Sequence, residues 1–413
     1  MRTSKILIII FFSFLLFVIS ACSKSNTPTP SIDFVLPTNI VVPTQPACTT
    51  LITEPTPGPD TPSIFPPITN ADHTRGPEDA AVTLLDYSDY QDPRSGELAK
   101  VTKQLLEESP NNIRVVTRPF PIIIVNDKAA IAALAAAASA EQGKFWEMHD
   151  LLFAQQVNWL DLPVEDFKQW LLAQVTALEM DDEKFRSDYA REDFIAKVQK
   201  AWDDGQQMGL PGTPILTING DLYQGPRDYT SLNNIVQLII LGKRQYKACP
   251  PLTVKTNSQY IATLNTEKGA VVIELFADKA PVTVNSFMFL AQNGWYDNIT
   301  FRRVIPNLFA QTGDPSGTGK GNPGYYLITE ILPSLTFNSP GLVAMVNSGP
   351  DTSGGQFFIT YAPAAQFDGK YTIFGRVLTG MDVLQSLTPR DAQQPGVNTP
   401  PGDKLLEVTV EEK

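Results

Sequence analysis

Residues 301–314 read Phe301-Arg302-Arg303-Val304-Ile305-Pro306-Asn307-Leu308-Phe309-Ala310-Gln311-Thr312-Gly313-Asp314. The first five predict a short strand, and Pro306-Asn307 punctuates it. Successive strand residues face opposite sides, so Arg302 and Arg303 point away from each other. The same grammar continues outward. Residues 260–265 and 269–276 flank Glu267-Lys268 as a two-strand ribbon, and residues 281–292 (PVTVNSFMFLAQ) space their apolar positions for one helix. Residues 341–346, 356–360 and 372–378 are further short strands between Gly-, Pro- and Asn-rich turns. Many short strands with one or two helices predict a closed β-barrel over residues 258–413.

Five segments in this region, taken in order, carry a family resemblance. They are residues 274–281 (ELFADKAP), the stretch 301–314, residues 343–350 (VAMVNSGP), residues 354–359 (GGQFFI) and residues 367–375 (FDGKYTIFG). Together they resemble the cyclophilin-type peptidyl-prolyl cis–trans isomerases, which implies that fold and that activity. Rotation about an X–Pro bond meets a barrier of roughly 20 kcal/mol because amide resonance is lost. A donor aimed at the prolyl nitrogen favours the twisted state, and each ~1.4 kcal/mol gained is tenfold in rate. No covalent step is needed, and no metal, nucleotide or other cofactor is expected. The resemblance puts Arg303 in the donor role, where its charge is permanent. It has Gln311 orienting either the guanidinium or the substrate carbonyl. It implies that Leu308, Phe309, Phe358 and Phe367 line an apolar socket for the proline ring, that Asn347 pins the peptide backbone with Val346 beside it, and that Gln356 adds a polar contact. Phe357 reads as plain barrel core, and Arg303 taken alone also admits a surface ion pair. Four positions depart from the family pattern: Leu308 stands for a phenylalanine, Arg302 for a histidine, Gln366 near a tryptophan position, and Tyr371 for a histidine. The last two alter the groove wall more than the donor.

Residues 313–324 (GDPSGTGKGNPG) imitate a nucleotide loop. The G-x-x-x-x-G-K-[ST] spacing fails, because Asp314 stands where glycine is required and Gly321 follows Lys320. Nucleotide binding is excluded on that ground.

Upstream, residues 71–245 read as alternating elements. Strands are expected at 81–87, 113–118 and 213–218, helices at 98–107, 128–155, 164–178, 182–208 and 230–241, and a hairpin signal at Gly220-Asp221. That order is an α/β layer arrangement. Residues 75–82 (RGPEDAAV), Tyr87-Ser88-Asp89-Tyr90-Gln91 and Gly212-Thr213-Pro214 resemble the DsbA-like branch of the thioredoxin superfamily, with its helical insert. The resemblance makes Pro214 the cis-proline of the loop that faces the active site. It also places Asp92-Pro93-Arg94-Ser95 where the family carries Cys-x-x-Cys. Disulfide exchange needs a thiolate, and neither Asp92 nor Ser95 supplies one. This domain is therefore expected to be redox-dead, leaving a scaffold or a module that takes an extended peptide by strand addition before Pro214. His149 reads as a packing residue and His73 as solvent exposed.

The N-terminus speaks to location. Arg2 and Lys5 precede an apolar run at 6–19 ending in Ser20-Ala21-Cys22. The run is too short to span a bilayer and has the form of an export signal. Residues 19–22 resemble the bacterial lipobox, which implies lipidation of Cys22, a mature chain starting there, and an anchor in the cell membrane. Residues 1–22 are thus the signal and 23–70 a tether, since 11 of the 44 residues 27–70 are proline and favour extended, solvated chain. Residues 246–257 form a connector. With Cys22 lipidated, the remaining pair Cys48 and Cys249 is expected to bridge in an exported chain.

Composition closes off other classes. Lysine and arginine number 32 against 44 acidic residues, a net charge of −12, which argues against a nucleic-acid partner. Three cysteines and two histidines cannot build a zinc-finger array, and no metal site is expected. The expected partners are proline-containing, unfolded or flexible extracytoplasmic polypeptides. The competing reading is a chaperone or surface adaptor that binds them without catalysis.

Overall fold

The structure, a computed structural model, describes residues 48–51, 63–394 and 399–413. The signal segment with Cys22 and most of the proline-rich stretch lie outside the described residues. Within that stretch, however, Cys48–Thr50 form strand β1.

The next elements are β2 (His73–Arg75), β3 (Val82–Ser88), α1 (Pro93–Glu108) and β4 (Ile113–Pro119). Six helices follow: α2 (Ala129–Ala140), α3 (Phe145–Ala154), α4 (Gln156–Trp159), α5 (Val164–Ala177), α6 (Asp182–Tyr189) and α7 (Glu192–Gln207). A hairpin of β5 (Ile215–Ile218) and β6 (Asp221–Tyr223) leads into α8 (Tyr229–Gly242). Asn219 and Gly220 both have positive φ, at 52° and 91°, as a two-residue hairpin loop requires. The sheet order is β2-β4-β3-β5-β6, with β3 and β4 parallel and α1 as their crossover.

Because β3 is covered on both faces, its alternate residues serve two cores. Val82 and Leu84 pack with Leu98 and Leu105 of α1 and Leu232 and Val236 of α8. Leu85 and Tyr87 face Val116, Phe120 and Leu210, with Trp202 of α7 packed alongside. A third cluster around Met148, Trp159 and Phe167 holds the helical layer together. Burial of each such large side chain contributes roughly 2–3 kcal/mol.

Three expectations need correction here. The helical run at 128–155 breaks after α2, where Gly143 takes φ 70° and ends the helix. The run at 182–208 breaks at Arg191, whose extended backbone starts α7 afresh. His73 is not solvent exposed: it lies in β2 and stacks on Phe145, ring centroids 3.4 Å apart.

The second lobe contains β7 (Tyr260–Thr266), β8 (Gly269–Leu275), α9 (Pro281–Gln292), β9 (Ile299–Thr300), β10 (Arg303–Ile305), β11 (Phe309–Thr312), β12 (Tyr325–Leu327), β13 (Leu342–Met345) and β14 (Phe357–Thr360). After a 3₁₀ turn at Ala365–Phe367 come β15 (Ile373–Thr379), α10 (Met381–Gln385), β16 (Arg390–Asp391) and β17 (Lys404–Glu412). Ten of these strands form one curled sheet, β16-β10-β11-β14-β13-β15-β8-β7-β17-β9. It is not the closed barrel expected from sequence. Its end strands, β16 and β9, are two residues each and do not pair. At the seam Phe301 N–H donates to Asp403 O and Arg302 N–H to Gln311 O, so these groups are engaged by loop and hairpin contacts. Phe287 of α9 fills the concave side against Phe357 and Phe374.

The two lobes meet through α8 and the connector. Leu241 of α8 belongs to the core of the second lobe, Tyr246 packs on Phe289 with centroids 4.8 Å apart, and Tyr246 N–H donates to Pro323 O. Cys48 and Cys249 form a disulfide, their Cα atoms 6.1 Å apart. The stretch 23–70 was expected to hold no element, yet β1 adds antiparallel to β12, with Thr49 opposite Tyr326. The covalent link next to β12 brings β1 to that strand's open edge, where its backbone groups find partners.

Candidate active site

β10 and β11 are joined by Pro306-Asn307-Leu308, and Leu308 N–H donates to Ile305 O at 3.0 Å. Proline at the second turn position and Asn307 at φ 61° at the third make this tight reversal. The hairpin fixes a register in which Arg303 lies opposite Gln311, while Gln311 in turn lies opposite Phe358 and Phe358 opposite Ala344. On the other side Arg303 lies opposite Asp391. Asp391, Arg303, Gln311, Phe358 and Ala344 therefore form one row across five adjacent strands, on one face of the sheet.

Aromatic rings gather on that face. Phe358 approaches Phe309, Phe367 and Tyr371 with centroids 5.6, 5.5 and 5.3 Å apart. Phe309 and Phe358 are buried, whereas Leu308, Val346, Phe367 and Tyr371 are half-buried around them. Phe357, the next residue along β14, points to the opposite face and lies in the main core. Phe337 also stacks on Phe358, at 5.8 Å. Sequence reasoning missed it, because it sits in a loop outside every motif segment.

The guanidinium of Arg303 stands at the edge of this aromatic cluster, 5.0 Å from the Phe309 ring centre. Its Nε donates to Asp391 Oδ1 at 2.9 Å and its Nη2 to Asp391 Oδ2 at 3.2 Å. That hydrogen bond holds the Asp391 carboxyl below its usual range, partly offset by burial. Arg302 leaves on the other side, donating from Nε to Gly317 O, and burial lowers its pKa.

Gln311 was expected to orient the guanidinium or a substrate carbonyl. Its Nε2 donates to Gln356 Oε1 at 3.2 Å, and Gln356 Nε2 donates to Gly319 O and Gly321 O. Both glutamines thus brace the Gly-rich loop. Asn347 donates from Nδ2 to Lys370 O and accepts from Gly349 N–H, so it shapes the rim of the groove. A cavity of about 220 Å³ continues from these groups, lined by Gly319, Tyr326, Val346, Asn347 and Gln356 among others. No group of metal-ligating side chains occurs among the described residues.

In the first lobe, Asp92 caps α1 by accepting from Arg94 N–H, and Pro93 occupies the first helical turn. Its other oxygen accepts from Thr213 Oγ1 at 2.8 Å and from Ser95 Oγ at 3.3 Å. The Thr213–Pro214 peptide bond is cis. The structure therefore does bring Asp92, Ser95 and the Pro214 loop together, as a closed hydrogen-bonded cluster.

Comparison with known proteins matches each lobe separately. A family described as cyclophilin type peptidyl-prolyl cis-trans isomerase/CLD matches residues 261–410, and one described as thioredoxin matches residues 69–237. Peptidyl-prolyl cis-trans isomerase-like 1 of Aspergillus fumigatus is 48% identical over 126 residues, 30% of this chain and 78% of that protein. The protein of the same description from Mus musculus is 43% identical over 140 residues, 33% of this chain and 82% of that one. A crystal structure of a Cryptosporidium parvum cyclophilin type isomerase is 30% identical, covering 37% of this chain and 98% of that one, with a TM-score of 0.34. With the curated relatives aligned over most of their length, the chain belongs to the cyclophilin-type peptidyl-prolyl cis-trans isomerases.

Proposed function

We propose that this isomerase acts outside the cytoplasm, on X–Pro bonds of unfolded or flexible proteins, from a lipid anchor at Cys22. The carrying observation is the placement of the Arg303 guanidinium beside an aromatic socket. A proline ring seated among Phe309, Phe358 and Phe367 would bring its nitrogen toward that guanidinium. A donor there favours the twisted amide over either planar isomer, which is differential binding of the transition state. Arg303 is the donor in this reading, while Leu308, Val346 and Tyr371 complete the socket wall. Gln311, Gln356 and Asn347 keep the groove in shape.

The disulfide between Cys48 and Cys249 supports an oxidising compartment, since such bridges are rare in the cytosol. The lipobox-like sequence ending at Cys22 supports the anchor. The first lobe is read as DsbA-like and redox-dead. Asp92 and Ser95 stand in place of the two sulfurs, and the Asp92 carboxylate accepts from both Ser95 Oγ and Thr213 Oγ1.

One set of preparations tests the reading. Full-length protein, Arg303→Ala and Cys22→Ser are expressed with the signal, fractionated and assayed on a short X–Pro peptide. Arg303→Ala should lose about 100-fold in kcat/KM with an unchanged circular-dichroism spectrum. Cys22→Ser should keep activity but leave the membrane fraction, and none should reduce insulin disulfides. Wild-type rates in Arg303→Ala would remove the donor assignment, and membrane retention of Cys22→Ser would remove the anchor.

A further inference from the structure

An arginine side chain has four rotatable bonds, and a donor that must meet a nitrogen in the transition state works only when aimed. Three observations show what aims it here. β16 is a strand of two residues whose pairing within the sheet is with β10, Val304 opposite Arg390 and Arg303 opposite Asp391. So short a strand adds little to the sheet, but it carries a carboxylate to the residue beside Arg303. The contact is two-pronged, through Nε and Nη2, and Asp391 Oδ1 is itself fixed by Gln393 N–H at 3.0 Å. Gln311, the expected orienter, donates from Nε2 to Gln356, whereas the Arg303 guanidinium donates to Asp391.

We infer that Asp391 is a positioning residue for the isomerase reaction, clamping the Nε–Nη2 edge of Arg303 so that the Nη1 edge is presented to the groove. The inference rests on the donor role proposed for Arg303. The clamp and the Phe309 ring restrain the guanidinium from two directions, 5.0 Å separating its centre from the ring centre. Side-chain exposures of 21% for Arg303 and 15% for Asp391 place the pair at the groove rim, where neither is fully withdrawn from water. For the reaction, the value of the pair lies in its geometry. Two parallel N–H···O bonds set both the direction and the plane of the guanidinium.

The test is steady-state kinetics on the full chain, with peptide affinity measured separately. Asp391→Ala should lower kcat about tenfold while KM and peptide affinity stay within twofold. Asp391→Asn keeps one acceptor in place and should fall between, near threefold; it also serves if the alanine variant does not fold. In an Arg303→Lys background, which offers no two-pronged edge, Asp391→Ala should change kcat by less than twofold. An unchanged or raised kcat in Asp391→Ala overturns the inference. So does a rise in KM with kcat preserved, which would mark a role in shaping the socket, or an undiminished effect in the lysine background. If Arg303→Ala itself keeps wild-type rates, the donor reading has failed instead, and the two failures are separable.

Discussion

Asp86 lies buried in β3, accepting from the Ser88 hydroxyl and from Thr117 Oγ1 at 3.1 Å. Burial pushes its carboxyl up to about 6, against the pull of these two hydroxyls. The folded state therefore binds more protons than the unfolded chain between about pH 4 and 6, so this group makes stability fall as pH rises through that window. His149 acts in the opposite sense. Burial first, then the Arg75 charge, lowers its pKa to about 3, so its contribution is present above the unfolded value near 6.5 and is lost as pH falls. Its Nδ1 sits 3.0 Å from the Tyr90 hydroxyl in an apolar, aromatic surround. The opposing slopes partly cancel in the wild-type profile, so a difference measurement is needed. Asp86→Asn should be more stable than wild type at pH 7, on the order of 1–3 kcal/mol, with the gain vanishing by pH 4. Denaturant titrations at the two pH values decide it; an equal effect at both would contradict the account. The active-site row has the same residue-scale logic. Arg303, Phe309 and Gln311 were legible because they share one contiguous motif. Asp391 was not, being 88 positions from Arg303 in a segment without periodic signal.

Among the helices, α7 shows how an element is placed by one residue. Gly205 faces Phe120, and a Cβ there would lie 2.2 Å from the ring. Phe120 cannot retreat easily, being buried and stacked on Trp202 with centroids 5.5 Å apart. In an exposed helix, glycine to alanine gains about 1 kcal/mol. Here overpacking should prevail, and Gly205→Ala should destabilise by about 1–3 kcal/mol. Phe120→Leu in the same chain should recover part of the loss. A raised melting temperature for Gly205→Ala alone would refute the close-packing argument. At this scale the periodic elements were readable: α9 coincides with the expected span 281–292, and β7 and β8 with the expected ribbon. β17 was missed despite its nine residues. Its residues 406–411 (LEVTVE) do alternate apolar and polar, but only Leu405 and Val408 of the strand are buried. Its place between β7 and β9 comes from the ladder with β7, from Leu405 opposite Thr266 to Glu412 opposite Tyr260.

Across the whole molecule, the Cys48–Cys249 bridge closes a loop of 201 positions that contains the entire first lobe. In the chain-entropy model such a loop restricts the unfolded state by about 5 kcal/mol. The bridge also seats β1 on β12, beside the Gly-rich loop whose carbonyls hold Gln356. Replacing both cysteines by serine should cost 2–5 kcal/mol of stability, roughly. Wild-type unfolding, but not that of the variant, should also be sensitive to reductant. Identical melts for wild type with and without reductant, once thiol titration confirms reduction, would show the bridge to be energetically idle. Some positional work is non-covalent: Leu241, Tyr246 and Arg244 tie α8 to the second lobe, the last donating to Gly294 O.

Contiguous sequence determined the features whose causes are local. Short-range apolar periodicity marked most helices and strands, turn residues marked the hairpins, and the stretch 301–314 carried the donor and part of its socket. It also showed that positions 92 and 95 hold no sulfur. Tertiary structure alone decided that the sheet curls without closing, that β1 joins β12, that His73 stacks under Phe145, and that Arg303 is clasped by Asp391 and not by Gln311. Each of these depends on groups far apart in the chain meeting across a curved sheet. Such meetings are set by the summed twist and packing of many strands, which no local pattern encodes.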